Sequence, residues 1–178
     1  TLPPSISTTG DVRLSGDNVL DSDAAPYVIT VTADDLFFSS NTTTDTELDT
    51  TVASLTAELT EAATGAGLTI SETNAVTLTS VTTANGPITV GAGGTVTATS
   101  VDSSTTDADT NDIAITVTAD GSNIEVGTIT TGGTDGDVVL TANDAGTQAV
   151  VDSTSSITAD DLEITTRSGI GVSGTPIN

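Results

Sequence analysis

The chain has 178 residues, of which 25 are acidic and two, Arg13 and Arg167, are basic, so its formal net charge is −23. It has no histidine and no cysteine, which excludes disulfides, Cys/His metal sites and Ser-His-Asp or Cys-His nucleophiles. Two cations cannot displace the counterions of a nucleic acid, and no apolar run is long enough to span a membrane as a helix.

Along the chain, apolar residues alternate with polar ones over short stretches. A period of two indicates half-buried strands, and the Val and Thr residues that recur in these stretches favour pleated sheets. Residues 52–63 are ambiguous, because their apolar positions fit either a helix or a strand. The clearest predicted strands are 68–70, 76–78, 88–90, 96–98 and 113–117. The sequence therefore predicts an all-β protein.

Two motifs recur at one distance of about 126 residues. Residues 10–14 (GDVRL) return as 136–140 (GDVVL), and 32–36 (TADDL) return unchanged as 158–162. Beyond these motifs the register slips slightly, so that residues 10–49 match 136–178. The second copy breaks off in mid-motif, which predicts a fragment of a chain with several such repeats.

A shorter period of about 20 to 28 residues lies inside the long one and is typical of a solenoid. The segment TSVTT at 79–83, for example, is echoed at 99–103 and 127–131. We predict a parallel β-helix (β-solenoid), with residues 1–178 forming one continuous segment. Its interior would hold Val, Ile, Leu and Ala, with Thr, Ser and Asp facing solvent and Gly or Asn supplying positive φ at the corners. The alternative is a β-sandwich adhesin repeat, whose core would normally use more aromatic residues.

The repeat and the alternation together assign side chains to the interior. Val138 and Leu140 should point inward, as should Val12 and Leu14 at the matching places of the first copy. Thr141 should point outward.

Several phrases resemble the repeats of very large bacterial surface proteins. They are GDVVLTAND (136–144), ITADDLEITTRSGIGVSGTPIN (157–178) and LDTTVASLTA (48–57). The resemblance is to filamentous-haemagglutinin-like adhesins and to the giant Thr- and Gly-rich surface proteins with β-helix repeats. It implies export, a right-handed parallel β-helix and a structural or adhesive role. Residues 1–4 lack the basic and apolar regions of a signal peptide, so we expect a chain that is processed or part of something longer.

Clustered aspartates are the candidate calcium ligands, because calcium takes six to eight oxygen ligands. Two loops supply them: Asp107, Asp109 and Asp112 in the first, and Asp135 and Asp137 in the second. The first loop lacks the glycine and the terminal Glu of an EF-hand, and the second resembles a single, imperfect calcium-binding nonapeptide. A solvated acidic turn and a tight turn entering a strand are the competing interpretations.

Two further surface features carry hypotheses. Asn41-Thr42-Thr43 fits the N-glycosylation pattern, although an unmodified loop is the favoured interpretation. Alternation places Phe37 on the outer face, where it is a candidate contact to a neighbouring chain.

The leading functional hypothesis is a non-catalytic structural protein, namely a segment of an extracellular fibre, sheath or adhesin that assembles end to end or laterally. Expected partners are copies of itself or further repeats of the same chain, with cell-surface or glycan ligands if it is adhesive. The expected location is extracellular or on the cell surface, without a cofactor unless calcium binds. The alternatives are a calcium-dependent β-sandwich adhesin module and a β-helical carbohydrate-active enzyme, in which paired carboxylates would provide acid and base.

Overall fold

A computed structural model describes residues 5–17, 19, 28–63, 65–106, 108–132, 134–142, 148–150, 154–167 and 169–171. The regular elements of these residues are all β-strands, and every strand runs parallel to the strands it pairs with. This confirms the predicted all-β parallel β-helix. The β-sandwich alternative was wrong, because a sandwich is built from antiparallel sheets.

The strands belong to two sheets that the chain visits in turn. Sheet 1 contains β1 (Ser5–Ser7), β3 (Val28–Thr32), β5 (Thr46–Thr51), β7 (Leu68–Glu72), β9 (Ile88–Ala92), β11 (Ile113–Val117), β13 (Val138–Ala142) and β16 (Leu162–Thr166). Sheet 2 contains β2 (Val12–Gly16), β4 (Asp35–Ser40), β6 (Ser54–Leu59), β8 (Val76–Thr83), β10 (Val96–Asp102), β12 (Asn123–Thr130), β14 (Gln148–Val150) and β15 (Ser156–Thr158). Spatial order follows chain order, so each coil stacks on the preceding one.

The core consists of aliphatic columns that run from coil to coil. In sheet 1 one column contains, in register, Leu48, Ile70, Val90, Ile115 and Leu140. In sheet 2 another contains Leu36, Leu55, Leu78, Ala98 and Val126. These side chains are almost or completely buried, and full burial stabilises a Leu, Ile or Val side chain by about 1.5–3 kcal/mol. Phe38 is the only aromatic side chain among the buried core residues that the structure describes, so aliphatic columns of this kind supply most of the contacts that hold the coils together.

The predicted interior positions of the two repeat copies are largely confirmed. Val138 and Leu140 are fully buried and Val12 is buried, whereas Thr141 lies on the outer face and is partly exposed. Leu14 is only half-buried, because its strand β2 lies at one edge of sheet 2 and has a neighbour on one side only.

The expectation that Thr and Ser face solvent was wrong at several positions. In β5 the side chains of Thr46 and Thr50 point inward on either side of Leu48. Thr83 and Ser103 are buried at the ends of coils, where each hydroxyl donates a hydrogen bond to a backbone carbonyl. Small hydroxyl residues, both Thr and Ser, therefore fill the narrow interior as well as the surface.

Glycine alone supplies positive φ at the corners, since every described residue with positive φ is a glycine and none is an asparagine. Gly86, with φ of 128°, lies so close to the preceding coil that an added Cβ would come within 2.4 Å of the carbonyl oxygen of Ala66. Asn111 contributes differently, through a buried side chain whose Oδ1 accepts the N–H of Gly86. Corner asparagines thus act by hydrogen bonding, not by backbone conformation.

The longer strands of sheet 2 depart from a regular ladder in two places. The register between β6 and β8 shifts at Leu55/Thr56, where β8 contains one additional residue. In the last coils β12 pairs with β14 through Asn123–Glu125 and with β15 through Thr128–Thr130. Here the single side of the coil is divided into two strands.

Candidate functional site

Four aspartates, here called the aspartate column, lie at the corner where the chain enters sheet 1, with Gly67 and Pro87 at the same position of the two coils between the first aspartate and the other three. Asp45, Asp112, Asp137 and Asp161 each immediately precede a strand of this sheet. The backbone N–H of Gly67 donates to Oδ1 of Asp45 at 2.8 Å, that of Asp137 to Asp112 at 3.0 Å, and that of Asp161 to Asp137 at 3.1 Å. The carboxylates of Asp45, Asp112 and Asp137 therefore each accept a backbone amide of the following coil, a role that the sequence reasoning missed.

The candidate calcium ligands are distributed over this corner and its loops. Asp107 lies outside the described residues. Asp109 and Asp135 are exposed, and Asp112 and Asp137 are half-buried members of the aspartate column. The structure therefore connects Asp112 with Asp137, one from each predicted loop, through a backbone amide.

Within the described part of the chain, the only acidic group with a metal-like spacing is formed by Asp137, Asp160 and Asp161. One carboxylate oxygen from each lies within 4.8 Å of the others. Asp160 and Asp161 are exposed, and one oxygen of Asp137 already accepts an amide. Three carboxylates fall short of the six to eight oxygens that calcium takes, so water or another molecule would have to supply the remaining ligands.

The loop that contains Asp109 and Asp112 is organised around the buried side chain of Asn111. Its Oδ1 accepts the N–H of Gly86 at 2.8 Å, across to the neighbouring coil. Its Nδ2 donates to the carbonyl of Ser103 at 3.0 Å and to both the carbonyl and the hydroxyl of Thr106. These bonds hold the loop against the neighbouring coil.

A second buried polar side chain, Glu72, stabilises the corner between sheet 1 and sheet 2. It is 4% exposed. Its two carboxylate oxygens accept the N–H of Val52 at 3.2 and 3.4 Å, and one of them accepts the N–H of Asn74 at 3.1 Å. All of these partners are backbone amides at a bend, so the buried carboxylate of Glu72 stabilises the conformation of this bend.

The outer face of sheet 2 carries the only contact between a cation and an aromatic ring found among the described residues. The guanidinium carbon of Arg13 lies 4.8 Å from the ring centre of Phe37, which is within the range of a cation–π contact. Phe37 is on the outer face as predicted but only half exposed, because Arg13 covers it. Asn41, at the end of the same strand, is exposed, and its Oδ1 accepts the hydroxyl of Thr60 at 3.2 Å.

The ends of the solenoid expose apolar side chains that the middle coils bury. The exposed fraction is 37% for Ile6 in β1, 49% for Leu162 in β16 and 46% for Ile170. β1 and β16 are the two edge strands of sheet 1. Open edges of this kind are templates for pairing with another strand.

Comparison with known proteins found no match. The chain matches no protein-family model, no curated protein and no solved structure. In the described segments no helix is long and apolar enough to span a membrane.

Proposed function

We propose that this chain is a non-catalytic structural segment of an extracellular fibre, sheath or adhesin, built from stacked β-helix coils. The observation that carries the proposal is the parallel ladder, which continues through eight strands of sheet 1 from β1 to β16. Its hydrogen bonds run along the solenoid axis, and an aliphatic core accompanies them. Such a structure resists extension and bending without any additional partner.

The surface charge fits a location outside the cell. With 25 acidic and two basic residues, neighbouring rods repel one another and stay soluble, and added salt would screen this repulsion. Assembly end to end is then favoured over side-by-side contact at low ionic strength. The assembly partners are copies of the chain or further repeats of it. An adhesive segment would in addition bind cell-surface or glycan ligands.

Immunogold electron microscopy of the cells that make the protein tests this proposal. An antiserum raised against the purified chain should label thin, continuous fibres or a sheath on intact cells. The matched control is an antiserum against a cytoplasmic protein, which should label the same cells only after they are permeabilised. Labelling by the first antiserum that also requires permeabilisation would contradict the extracellular role.

A further inference from the structure

The two copies of the long repeat lie in opposite sheets. Val12 in β2 and Val138 in β13 are 126 residues apart, as are Leu36 in β4 and Leu162 in β16. β2 and β4 belong to sheet 2, whereas β13 and β16 belong to sheet 1. The same exchange, in the other direction, relates β3 in sheet 1 to β15 in sheet 2.

The local pairing of the two copies is nevertheless the same. Val12 pairs with Leu36 in the first copy, and Val138 pairs with Leu162 in the second. The corner hydrogen bond is preserved too, because the carbonyl of Gly10 accepts the N–H of Asp34 at 3.1 Å and that of Gly136 accepts the N–H of Asp160 at 2.9 Å. The motif therefore specifies how one coil stacks on the next but not the sheet in which it lies.

The exchange follows from the number of coils in one repeat. From β2 the chain passes through β4, β6, β8 and β10 to β12, which is five complete coils in sheet 2. A further half coil leads to β13 in sheet 1. One repeat is thus five and a half coils, and the next copy starts on the opposite side of the solenoid.

The first copy shows what covers its second strand. β6 pairs with β4 and places Leu55 over Leu36, which is fully buried. In the second copy the matching residue, Leu162, is 49% exposed. Each leucine belongs to the same motif and pairs with a valine of the preceding coil. They differ in the following coil, which covers Leu36 but not Leu162.

The polar contacts at this corner show the same difference. In the first copy the carbonyl of Asp34 accepts the N–H of Ala53 at 2.8 Å, and the carboxylate of Asp35 accepts the hydroxyl of Ser54 at 2.6 Å. Their counterparts Asp160 and Asp161 are exposed. A surface cleft of about 290 Å³ lies at this end, and its lining includes Asp137, Val138, Asp161 and Leu162.

We propose that the exposed face of β16 is a docking site for one kind of strand, the Ala-Ser-Leu-Thr-Ala-Glu-Leu strand of residues 53–59, supplied by a following repeat. The arriving strand lies in sheet 1, opposite to β6. Its leucine covers Leu162, its serine hydroxyl donates to Asp161 and its first amide donates to the carbonyl of Asp160. Asp160 and Asp161 then hold the first residues of the next coil. This inference rests on the proposed function of a fibre built from repeats and deepens it.

Extending the full chain tests this proposal directly. Because Asp49 matches Asn178, a copy of residues 50–63 is appended after Asn178. Hydrogen exchange of the β16 amides, measured by mass spectrometry, should slow by about tenfold or more relative to the unextended chain. The matched control carries the same extension with Leu55→Asp and Leu59→Asp in the appended copy, which places charges at the two inward-facing leucine positions, and its β16 amides should exchange as in the unextended chain.

Three results would overturn the docking site. Unchanged exchange in the leucine-containing extension would show that this strand does not bind β16. Equal slowing in both extensions would show that the added length acts without strand specificity. Protection that rises with protein concentration in the unextended chain would assign this face to a second copy instead. None of these results bears on where the protein is located, so the immunogold test stands independently.

Discussion

Leu140 lies in the sheet 1 column between Ile115 of the preceding coil and Ile164 of the following one. It is completely buried, whereas Thr141 beside it points outward. We expect Leu140→Ala to lower the free energy of unfolding by about 2–5 kcal/mol, since truncation of a buried leucine loses burial and leaves a cavity. Thr141→Ala, the matched control, should change it by less than about 0.5 kcal/mol. Urea unfolding followed by circular dichroism measures both, and equal effects would contradict the interior assignment.

The polar residues of the interior show where sequence reasoning about single residues fails. Thr46 and Thr50 are buried, and their hydroxyl oxygens have no hydrogen-bond partner in the part of the chain that the structure describes. Alternation identifies the two faces of a strand, but it does not say which polar residues a narrow core accepts. Asn111 is similar, because its buried role depends on Gly86 in the neighbouring coil.

At the scale of elements, the corners depend on glycines that allow two coils to approach closely. An added Cβ on Gly93 would come within 2.2 Å of the carbonyl oxygen of Thr73 in the coil below, whereas one on Gly91, in β9, would contact nothing within 4 Å. Gly93→Ala should therefore destabilise the fold by about 1–3 kcal/mol through overpacking. Gly91→Ala should be neutral or stabilising by up to about 1 kcal/mol, because alanine restricts the unfolded chain.

Thermal unfolding of these two glycine variants gives the comparison. A Gly93→Ala protein that melts together with Gly91→Ala would mean that the corner can shift without cost and that close approach is not required there.

Strands were predictable from the sequence where alternation was clear, and they were not where it was ambiguous. All five of the clearest predicted strands are present, in β7 to β11. Residues 52–63, which fit a helix equally well, contain β6, because pairing with β4 and β8 satisfies their backbone. The aspartate column was not predictable either, since it is defined by which residues of successive coils lie side by side, and the intervening loops differ in length.

For the whole molecule, the long repeat was visible in the sequence but its exchange between sheets was not. A strand with alternating residues looks the same whichever sheet it joins. The exchange follows from the five and a half coils in one repeat, and this number cannot be read from the sequence because the coils differ in length. A motif that lies in one sheet in the first copy therefore lies in the other sheet in the second copy. The two copies of each motif, 126 residues apart, are thus presented on opposite sides of the solenoid.

This alternation predicts the dimensions of a chain with several repeats. Five and a half coils at about 4.8 Å each advance the axis by about 26 Å per repeat, so a given side recurs after about 53 Å. The protein has no cysteine, so Asn41→Cys in the first copy and Arg167→Cys at the matching, equally exposed position of the second copy, both labelled with small gold particles, report the pattern in electron micrographs. The labels should alternate between the two sides of a thin, stiff rod at the shorter spacing. Labels confined to one side would contradict the half-coil offset, and separate beads at about 35–45 Å, the spacing of linked β-sandwiches, would contradict the β-helix fibre itself.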